Sequence, residues 1–189
     1  MSENPVSVVI IGLGYVGLTL GVALARRNIR VFGIERRPEV VELTNSGKAH
    51  FSEVGLDSAL ESVVEKGLLT ASTSTAGIPP AEFYIITVGT PLNPGTFRPR
   101  LDMIEEASRE VAEQLPAGAT VILRSTVQIG TTRNIVRRVL DESGKVYNLA
   151  MCPERTLEGT RFANWRCCPK SSAALQTAPP IAPLRCSAG

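Results

Sequence analysis

The chain alternates short apolar runs with longer segments in which apolar residues recur at helical spacing. Val6–Ile11 is rich in β-branched residues and ends at a glycine, which is typical of a buried parallel strand. Tyr15–Arg27 follows with apolar positions three and four residues apart, as a helix requires. The further predicted strands are Arg30–Ile34, Leu68–Ser72, Phe83–Val88, Thr120–Arg124 and Val146–Met151, and the further helices are Pro38–Asn45, Leu56–Lys66, Asp102–Gln114 and Thr131–Asp141. Asp102 is predicted to cap its helix.

Strands that alternate with helices predict parallel βαβ units, and therefore an α/β protein with a doubly wound parallel sheet covered on both faces. This pattern stops after Gly159. We therefore expect one domain over residues 1–160 and a tail over residues 161–189 without a defined fold. The tail contains four prolines and three of the four cysteines, and it has no sustained periodicity.

Composition narrows the possible partners. An apolar share of 43% and a net charge of +2 are typical of a globular protein, and they favour neither a nucleic-acid nor a membrane partner. Glycines interrupt the apolar segment Val6–Leu24, which predicts neither a signal peptide nor a membrane span, so a cytoplasmic location is expected. Cys167 and Cys168 lack the spacing of a zinc site, and His50 is far from both; no metal site is predicted.

Gly12-Leu13-Gly14-Tyr15-Val16-Gly17 matches the pattern G-x-G-x-x-G directly after a strand and at the start of a helix. In this context the first glycine permits a tight turn, the second lets the backbone approach a pyrophosphate, and the third lets the helix pack close to the strand. The helix N-terminus presents free N–H groups to the phosphates. The pattern favours a Rossmann-type dinucleotide site with Gly12, Gly14, Tyr15, Val16 and Gly17 at the cofactor; the alternative is a glycine-rich turn without a ligand.

Glu35 ends the second strand about twenty residues after the turn, where an acid accepts hydrogen bonds from the adenosine ribose. A carboxylate there repels a 2′-phosphate and favours NAD over NADP. Arg36 and Arg37 leave NADP open, because an adjacent arginine can bind that phosphate. The simpler interpretation of both arginines is that they stack on adenine or face solvent.

Three further motifs fall at the ends of predicted strands, where ligands bind in open α/β sheets. They are Val88–Leu92, Arg124–Val127 with Gly130–Thr132, and Cys152–Arg155 with Gly159. Together with the glycine turn, and in this order and spacing, they resemble the UDP-glucose/GDP-mannose dehydrogenase family over about residues 6–159. The Pro-Glu-Arg sequence at 153–155 is more similar to the branch acting on UDP-N-acetylhexosamines such as UDP-N-acetylmannosamine.

The resemblance implies a role for each matched residue. Thr90 contacts NAD, and Thr126 lies near the nicotinamide and the reacting water. Glu154 lies where cofactor and substrate meet and assists proton movement, and Arg155 contacts the substrate. The alternatives are structural: Thr90 as part of a turn, Ser125 or Thr126 as a helix cap, and Glu154 or Arg155 as a salt-bridge partner.

Some positions depart from the family pattern. Gly89 replaces the usual proline, and Arg124 replaces a frequent glutamate. The segment from His50-Phe51 through Glu53 to Gly55-Leu56 also resembles a family loop, in which His50 is interpreted as structural rather than catalytic.

The family resemblance also implies a reaction: oxidation of the C6 alcohol of a UDP-sugar to a uronic acid, with reduction of two NAD and a covalent intermediate on a cysteine. That cysteine belongs to a Gly-x-Cys-x-x-x-Asp sequence, which does not occur in these 189 residues. Cys152 lies in a variable motif position and is not predicted to replace it. The chain alone is therefore expected to be inactive, and the homodimer of the family is doubtful for it.

A frameshift is one hypothesis for the tail. Residues 160–172, back-translated with GC-rich codons and read from the third base of the Thr160 codon, permit Ala-Leu-Arg-Glu-Leu-Ala-Val-Leu-Pro-Gln-Ile-Ile-Gly. This is similar to the helix and the Leu-Pro-x-Ile-Ile-Gly-Gly segment that follow in the family. Three other interpretations stay open: a different Rossmann dehydrogenase, such as the 6-phosphogluconate or hydroxyacid type, a non-catalytic NAD-binding module, and a defective gene product.

Overall fold

The computed structural model describes residues 6–96 and 98–154. Arg155 and the tail of residues 161–189 lie outside the described residues. The six strands are β1 (Ser7–Ile11), β2 (Arg30–Ile34), β3 (Leu69–Ser72), β4 (Phe83–Ile86), β5 (Thr120–Leu123) and β6 (Asn148–Met151). The helices are α1 (Tyr15–Ala25), α2 (Pro38–Asn45), α3 (Leu56–Glu65), α4 (Asp102–Gln114) and α5 (Arg138–Asp141), with a π-helical segment at Thr132–Arg137 before α5.

The strands form one parallel sheet in the order β3-β2-β1-β4-β5-β6. The chain runs outward from β1 to β3 and then returns to place β4 on the other side of β1. This change of direction opens a crevice beyond the carboxyl ends of β1 and β4, the place where open α/β sheets bind ligands. The predicted fold class, a Rossmann-type doubly wound parallel sheet, is confirmed for the described residues.

Alternate residues of β1 enter two different cores, as the pleat of a strand requires. Val8 and Ile10 join the core beneath α1, α2 and α3. Val9 and Ile11 join the core beneath α4, α5 and the π-helical segment. Because both faces are covered, β1 reads as a continuous apolar run rather than an alternating one.

Several predicted bounds shift by one or two residues in the structure; for example, β4 ends at Ile86 rather than Val88. Three further differences concern α4, the helix predicted over Thr131–Asp141, and β6. Helix α4 begins at Asp102 itself, with Leu101 in the cap position, and the Asp102 carboxylate bonds to Arg100 at 2.5 Å instead of capping the helix. The helix predicted over Thr131–Asp141 is π-helical in its first part, because apolar spacing does not distinguish i→i−4 from i→i−5 hydrogen bonding. Strand β6 begins at Asn148, two residues later than predicted, since Val146 is exposed.

Candidate functional site

The glycine turn joins β1 to α1 with the geometry that its sequence predicts. Gly12 has φ +95°, a left-handed conformation that favours glycine, and its N–H donates to Ile34 O at 2.7 Å. A Cβ at Gly17 would lie 1.9 Å from Gly12 O, so this position must be glycine for the helix to lie against the turn. A Cβ at Gly14 would meet nothing within 4 Å. The open space at Gly14 is where a phosphate can approach the backbone.

The N-terminus of α1 carries no compensating charge of its own. Its first turn contains no acidic residue, and no side chain caps it. Helices α2, α3 and α4 each have at least one acid in the first turn. Tyr15 and Val16, the first two residues of α1, are partly exposed. The positive end of the helix dipole, with no acidic residue beside it, therefore favours an anion at this turn.

Glu35 lies at the end of β2 beside this turn. Its carboxylate accepts a hydrogen bond from Leu13 N–H at 3.1 Å and bonds to Arg37 Nε at 3.1 Å. Burial raises the pKa of the Glu35 carboxyl, but the hydrogen bonds and charge of Arg37, with Leu13 N–H, outweigh this and keep the pKa below its ordinary value. Glu35 is thus an oriented, ionised acceptor at the predicted ribose position.

Arg36 points away from Glu35 and pairs with Glu106 of α4 through Nη1 and Oε2 at 2.6 Å. Both side chains are at least half exposed, so the pair is a surface one. Arg37 is engaged by Glu35. Arg36 and Arg37, which the sequence offered as ligands for the 2′-phosphate of NADP, therefore each have a carboxylate partner.

The loops after β4 and β5 are tied together by two hydroxyl groups. The Thr90 hydroxyl donates to Thr126 O at 2.8 Å, and the Ser125 hydroxyl donates to Val88 O at 2.7 Å. Ser125 is buried, whereas the Thr126 side chain is exposed at the carboxyl edge of the sheet. Ser125 does not cap the following helical segment. The structure thus brings together Thr90 and Thr126, which the sequence assigns to one site.

Glu154 follows β6 and is held by Arg124, which follows β5. Arg124 Nη2 and Glu154 Oε2 are 2.5 Å apart, and Nη1 donates to Cys152 O at 3.4 Å. The two side chains are only 19% and 9% exposed. The salt-bridge alternative for Glu154 is therefore realised, but as a largely buried pair at the carboxyl edge rather than as a surface contact. Arg155, the predicted substrate residue, lies outside the described residues.

Two residues at the turn were not identified from the sequence, and a third, Glu53, was identified only as part of a loop that resembles the family. The Thr87 hydroxyl donates to Gly12 O at 2.6 Å, which fixes the turn to β4. Gly33 leaves room for Leu13, since a Cβ there would lie 2.7 Å from the leucine side chain. Glu53 is buried and accepts a hydrogen bond from the Tyr15 hydroxyl. The sequence signals that could have identified Thr87 and Gly33 were a threonine near the end of an apolar strand and a glycine inside one.

A groove of about 400 Å³ lies between α4 and the loop after β3; its lining includes Arg36 but no residue of the glycine turn. Its acidic lining includes Glu106 and Glu110, and burial raises the pKa of Glu110. The Glu110 carboxylate bonds to Thr75 N–H at 3.2 Å. The glycine turn, rather than this groove, carries the groups suited to a dinucleotide.

Metal-ligating side chains, apolar helices and the single histidine complete the description of the described residues. Within residues 6–96 and 98–154, no three metal-ligating side chains cluster. No helix there has both the length and the apolar character needed to cross a bilayer. His50 is half-buried with its ring edge against Phe51, and burial together with the charge of Arg37 lowers its pKa.

Comparison with known proteins identifies relatives of this domain. Residues 6–170 match the UDP-glucose/GDP-mannose dehydrogenase family, NAD binding domain. The chain is 38% identical over 163 residues to a UDP-N-acetyl-D-mannosamine dehydrogenase of Campylobacter jejuni, covering 80% of this chain and 39% of that protein. The match to the family model extends to residue 170, whereas the resemblance based on the sequence motifs ended at about residue 159.

Solved structures of nucleotide-sugar dehydrogenases are also similar to this chain. A UDP-glucose dehydrogenase from Pyrobaculum islandicum superposes with a TM-score of 0.80 at 31% identity, over 86% of this chain and 39% of that one. The UDP-D-ManNAc dehydrogenase of Pyrococcus horikoshii has a TM-score of 0.79 at 33% identity, over 84% and 38%. The chain thus spans about two fifths of the length of these relatives.

Proposed function

The chain belongs to the UDP-glucose/GDP-mannose dehydrogenase family, in which it represents the NAD-binding domain, and we propose that it binds NAD in the crevice at the glycine turn. The observation that carries this proposal is the open backbone at Gly14, beside a helix N-terminus without acidic residues in its first turn. Gly12 and Gly17 hold the turn, and Glu35 receives the ribose hydroxyls. Tyr15, Val16, Thr90 and Thr126 complete the proposed cofactor contacts.

NAD is the hydride acceptor in the proposed reaction. Positioning of the reactants and movement of the proton are assigned to side chains of this chain. Thr126 and Glu154 are proposed to lie beside the reacting carbon in supporting catalytic roles. Arg124 keeps the Glu154 carboxylate in one place, so that it can receive or return a proton at Oε1 or Oε2. Glu154 and Arg155 are the proposed substrate contacts.

For the intact protein we propose oxidation of the C6 alcohol of a UDP-sugar to the uronic acid with two NAD. The curated relatives with 34–38% identity are named UDP-N-acetyl-D-mannosamine dehydrogenases, which supports a UDP-N-acetylhexosamine as the substrate. The 189 residues contain no Gly-x-Cys-x-x-x-Asp sequence, so the chain alone is proposed to bind NAD without completing the reaction. A cytoplasmic location and a homodimer of the intact protein belong to the same proposal.

Calorimetric titration of the chain with NAD⁺ and NADP⁺ tests the cofactor assignment. We expect saturable binding of NAD⁺ and weaker binding of NADP⁺, because Glu35 faces the ribose and Arg36 and Arg37 are paired. No NAD⁺ binding by the folded chain would refute the proposal. NADH formation from UDP-N-acetylmannosamine by the chain alone would refute its inactivity.

The frameshift hypothesis for residues 161–189 has its own test, which is resequencing of the gene from the Pro153 codon onward. A single-base change that opens a frame encoding Gly-x-Cys-x-x-x-Asp would support an intact dehydrogenase. An unchanged frame with nothing similar downstream would instead support a non-catalytic NAD-binding module.

A further inference from the structure

The loop between α2 and α3 lies against the phosphate-binding turn. The Phe51 ring is 4.7 Å from the Tyr15 ring at an angle of 41°, and the His50 ring meets Phe51 edge-on at 4.8 Å. The Tyr15 hydroxyl donates a hydrogen bond to Glu53 Oε2. Tyr15 is the first residue of α1, directly after Gly14. The loop therefore contacts the segment of the turn that faces the proposed pyrophosphate.

Glu53 is a carboxylate in an unusual position, because it is only 8% exposed. A buried carboxylate is stable only where hydrogen bonds replace its water, and the Tyr15 hydroxyl supplies one of these. The loop around Glu53 has contacts of its own: Glu53 O accepts from Leu56 N–H at 3.1 Å, and Ala49 N–H donates to Asp57 Oδ1 at 3.0 Å. Because these contacts fix the loop without Tyr15, Glu53 serves as an anchor for the tyrosine.

The Tyr15–Glu53 bond joins the glycine turn to a neighbouring loop at the helical end of the turn. The first half of the turn is fixed by Gly12 N–H on Ile34 O, by Leu13 N–H on Glu35, and by Thr87 on Gly12 O. Inside α1, Leu18 N–H donates to Gly14 O at 3.0 Å, and the Thr19 hydroxyl donates to Tyr15 O at 2.8 Å. These bonds order the helix itself, whereas the Tyr15 hydroxyl ties its first turn to the loop that carries Glu53. Because glycine has the largest backbone freedom of any residue, such a tie restricts the segment that begins at Gly14.

We propose that Glu53 is a positioning residue for NAD, which acts by holding Tyr15 and with it the first turn of α1 in the conformation that receives the pyrophosphate. The inference rests on the proposed NAD binding and adds to it a residue outside the glycine motif. A preordered turn binds more tightly because the ligand does not have to order it. The effect belongs to the pyrophosphate, so it extends to any ligand that carries the adenosine diphosphate group.

The test is a double-mutant cycle on NAD⁺ and ADP-ribose binding, measured by calorimetry with Glu53→Ala, Tyr15→Phe and the double variant. Each single variant should raise the Kd of both ligands on the order of tenfold, as loss of a hydrogen bond to a charged group predicts. The double variant should bind no more weakly than the weaker single variant. Glu53→Gln retains a carbonyl acceptor and should stay within about threefold of wild type. Exposed Glu65, replaced by alanine, is the control for loss of a negative charge.

Thermal melting followed by circular dichroism establishes that each variant is folded, and Tyr15→Phe, which removes only a hydroxyl, keeps the test valid if Glu53→Ala does not fold. The proposal would be overturned if the losses of affinity in the two single variants multiply in the double variant. Wild-type affinity in Tyr15→Phe would overturn it as well. Tighter binding by Glu53→Gln would overturn it too, by showing that repulsion of the phosphates dominates. If wild type binds and the variants match it, only this inference fails. If wild type binds neither ligand, the proposed function fails with it.

Discussion

Alanine at Gly14 and alanine at Gly17 should have opposite consequences, although the two glycines lie three residues apart in one turn. A Cβ at Gly17 would lie 1.9 Å from Gly12 O and 2.7 Å from the Thr87 hydroxyl. Neither is the end of a flexible side chain that can move aside freely, because the Thr87 hydroxyl is bonded to Gly12 O at 2.6 Å. Gly17→Ala must therefore displace the backbone of the turn.

The size of the effect follows from these contacts. Overpacking costs about 1–3 kcal/mol, and the strained Thr87 hydrogen bond adds about 1 kcal/mol. Alanine returns about 1 kcal/mol because it is the better helix former. A net loss near the upper end, about 3 kcal/mol, is expected because the 1.9 Å contact is with backbone. In a domain of this size that lowers the Tm by about 6–12 °C.

Gly14→Ala should leave the fold intact and remove the ligand. Gly14 has φ −62° and ψ −168°, which alanine adopts without strain, and its Cβ would meet nothing within 4 Å. The unfolding free energy should change by no more than about 1 kcal/mol, because the restriction of the unfolded chain by alanine is offset by the loss of a favourable N-cap residue. The new methyl group occupies the space that the pyrophosphate requires, so the Kd for NAD⁺ should rise at least about tenfold, since one lost hydrogen bond to a charged group suffices for that.

Urea denaturation measures the stability of both variants, and calorimetric titration measures their affinity for NAD⁺. The expected pattern is a stable Gly14→Ala that fails to bind NAD⁺ and a Gly17→Ala that unfolds at lower urea concentration. Wild-type NAD⁺ affinity in Gly14→Ala would show that the cofactor does not approach this backbone. Wild-type stability in Gly17→Ala would show that α1 does not pack against the turn as closely as the contact between Gly17 and Gly12 O requires.

Three further predictions concern charged groups at the same edge of the sheet. Arg124→Gln and Glu154→Gln should each lower the unfolding free energy in urea by about 1–3 kcal/mol, because each removes one charge of a largely buried ion pair, and the double variant should lose less than the two together. Ionised Glu35 stabilises the fold above its unfolded pKa of 4.5, and this contribution is lost as the pH falls through its lowered folded pKa, so Glu35→Gln should flatten the decline of Tm at acidic pH. Glu106→Gln releases Arg36 from an exposed pair worth about 0.2–1 kcal/mol and should raise NADP⁺ affinity about two- to fivefold in calorimetry, whereas unchanged NADP⁺ affinity would remove Arg36 from the ribose site.

The sequence predicts the fold through features that depend only on neighbouring residues. The apolar run of β1 and the glycine spacing of the turn are local, and they survive in the structure because residues 8–11 are each paired on both sides and packed in one of the two cores. The cap at Asp102 was wrong for the opposite reason. A nearby cation, Arg100, competes for the carboxylate, and sequence spacing alone does not decide between the two partners.

Non-local contacts account for what the sequence missed at the site. Arg124 and Glu154 are 30 residues apart, and they meet because parallel register aligns Leu123 with Met151 at the ends of β5 and β6. A shift of β6 by one residue in that register would turn its side chains to the other face and separate Glu154 from Arg124. The departure of Arg124 from the family pattern was visible in the sequence, but its partner was not.

The arginines at this edge also explain why the backbone, rather than cationic side chains, is expected to hold the phosphates. Arg36, Arg37 and Arg124 each engage a carboxylate in the structure. Their charge is therefore largely neutralised before any ligand arrives, and a dinucleotide would have to displace a carboxylate to use it. The start of α1, by contrast, has no acidic residue in its own first turn to compete with a phosphate. NAD⁺ affinity should accordingly depend more on Gly14 and on the order of the turn than on any one of these three arginines.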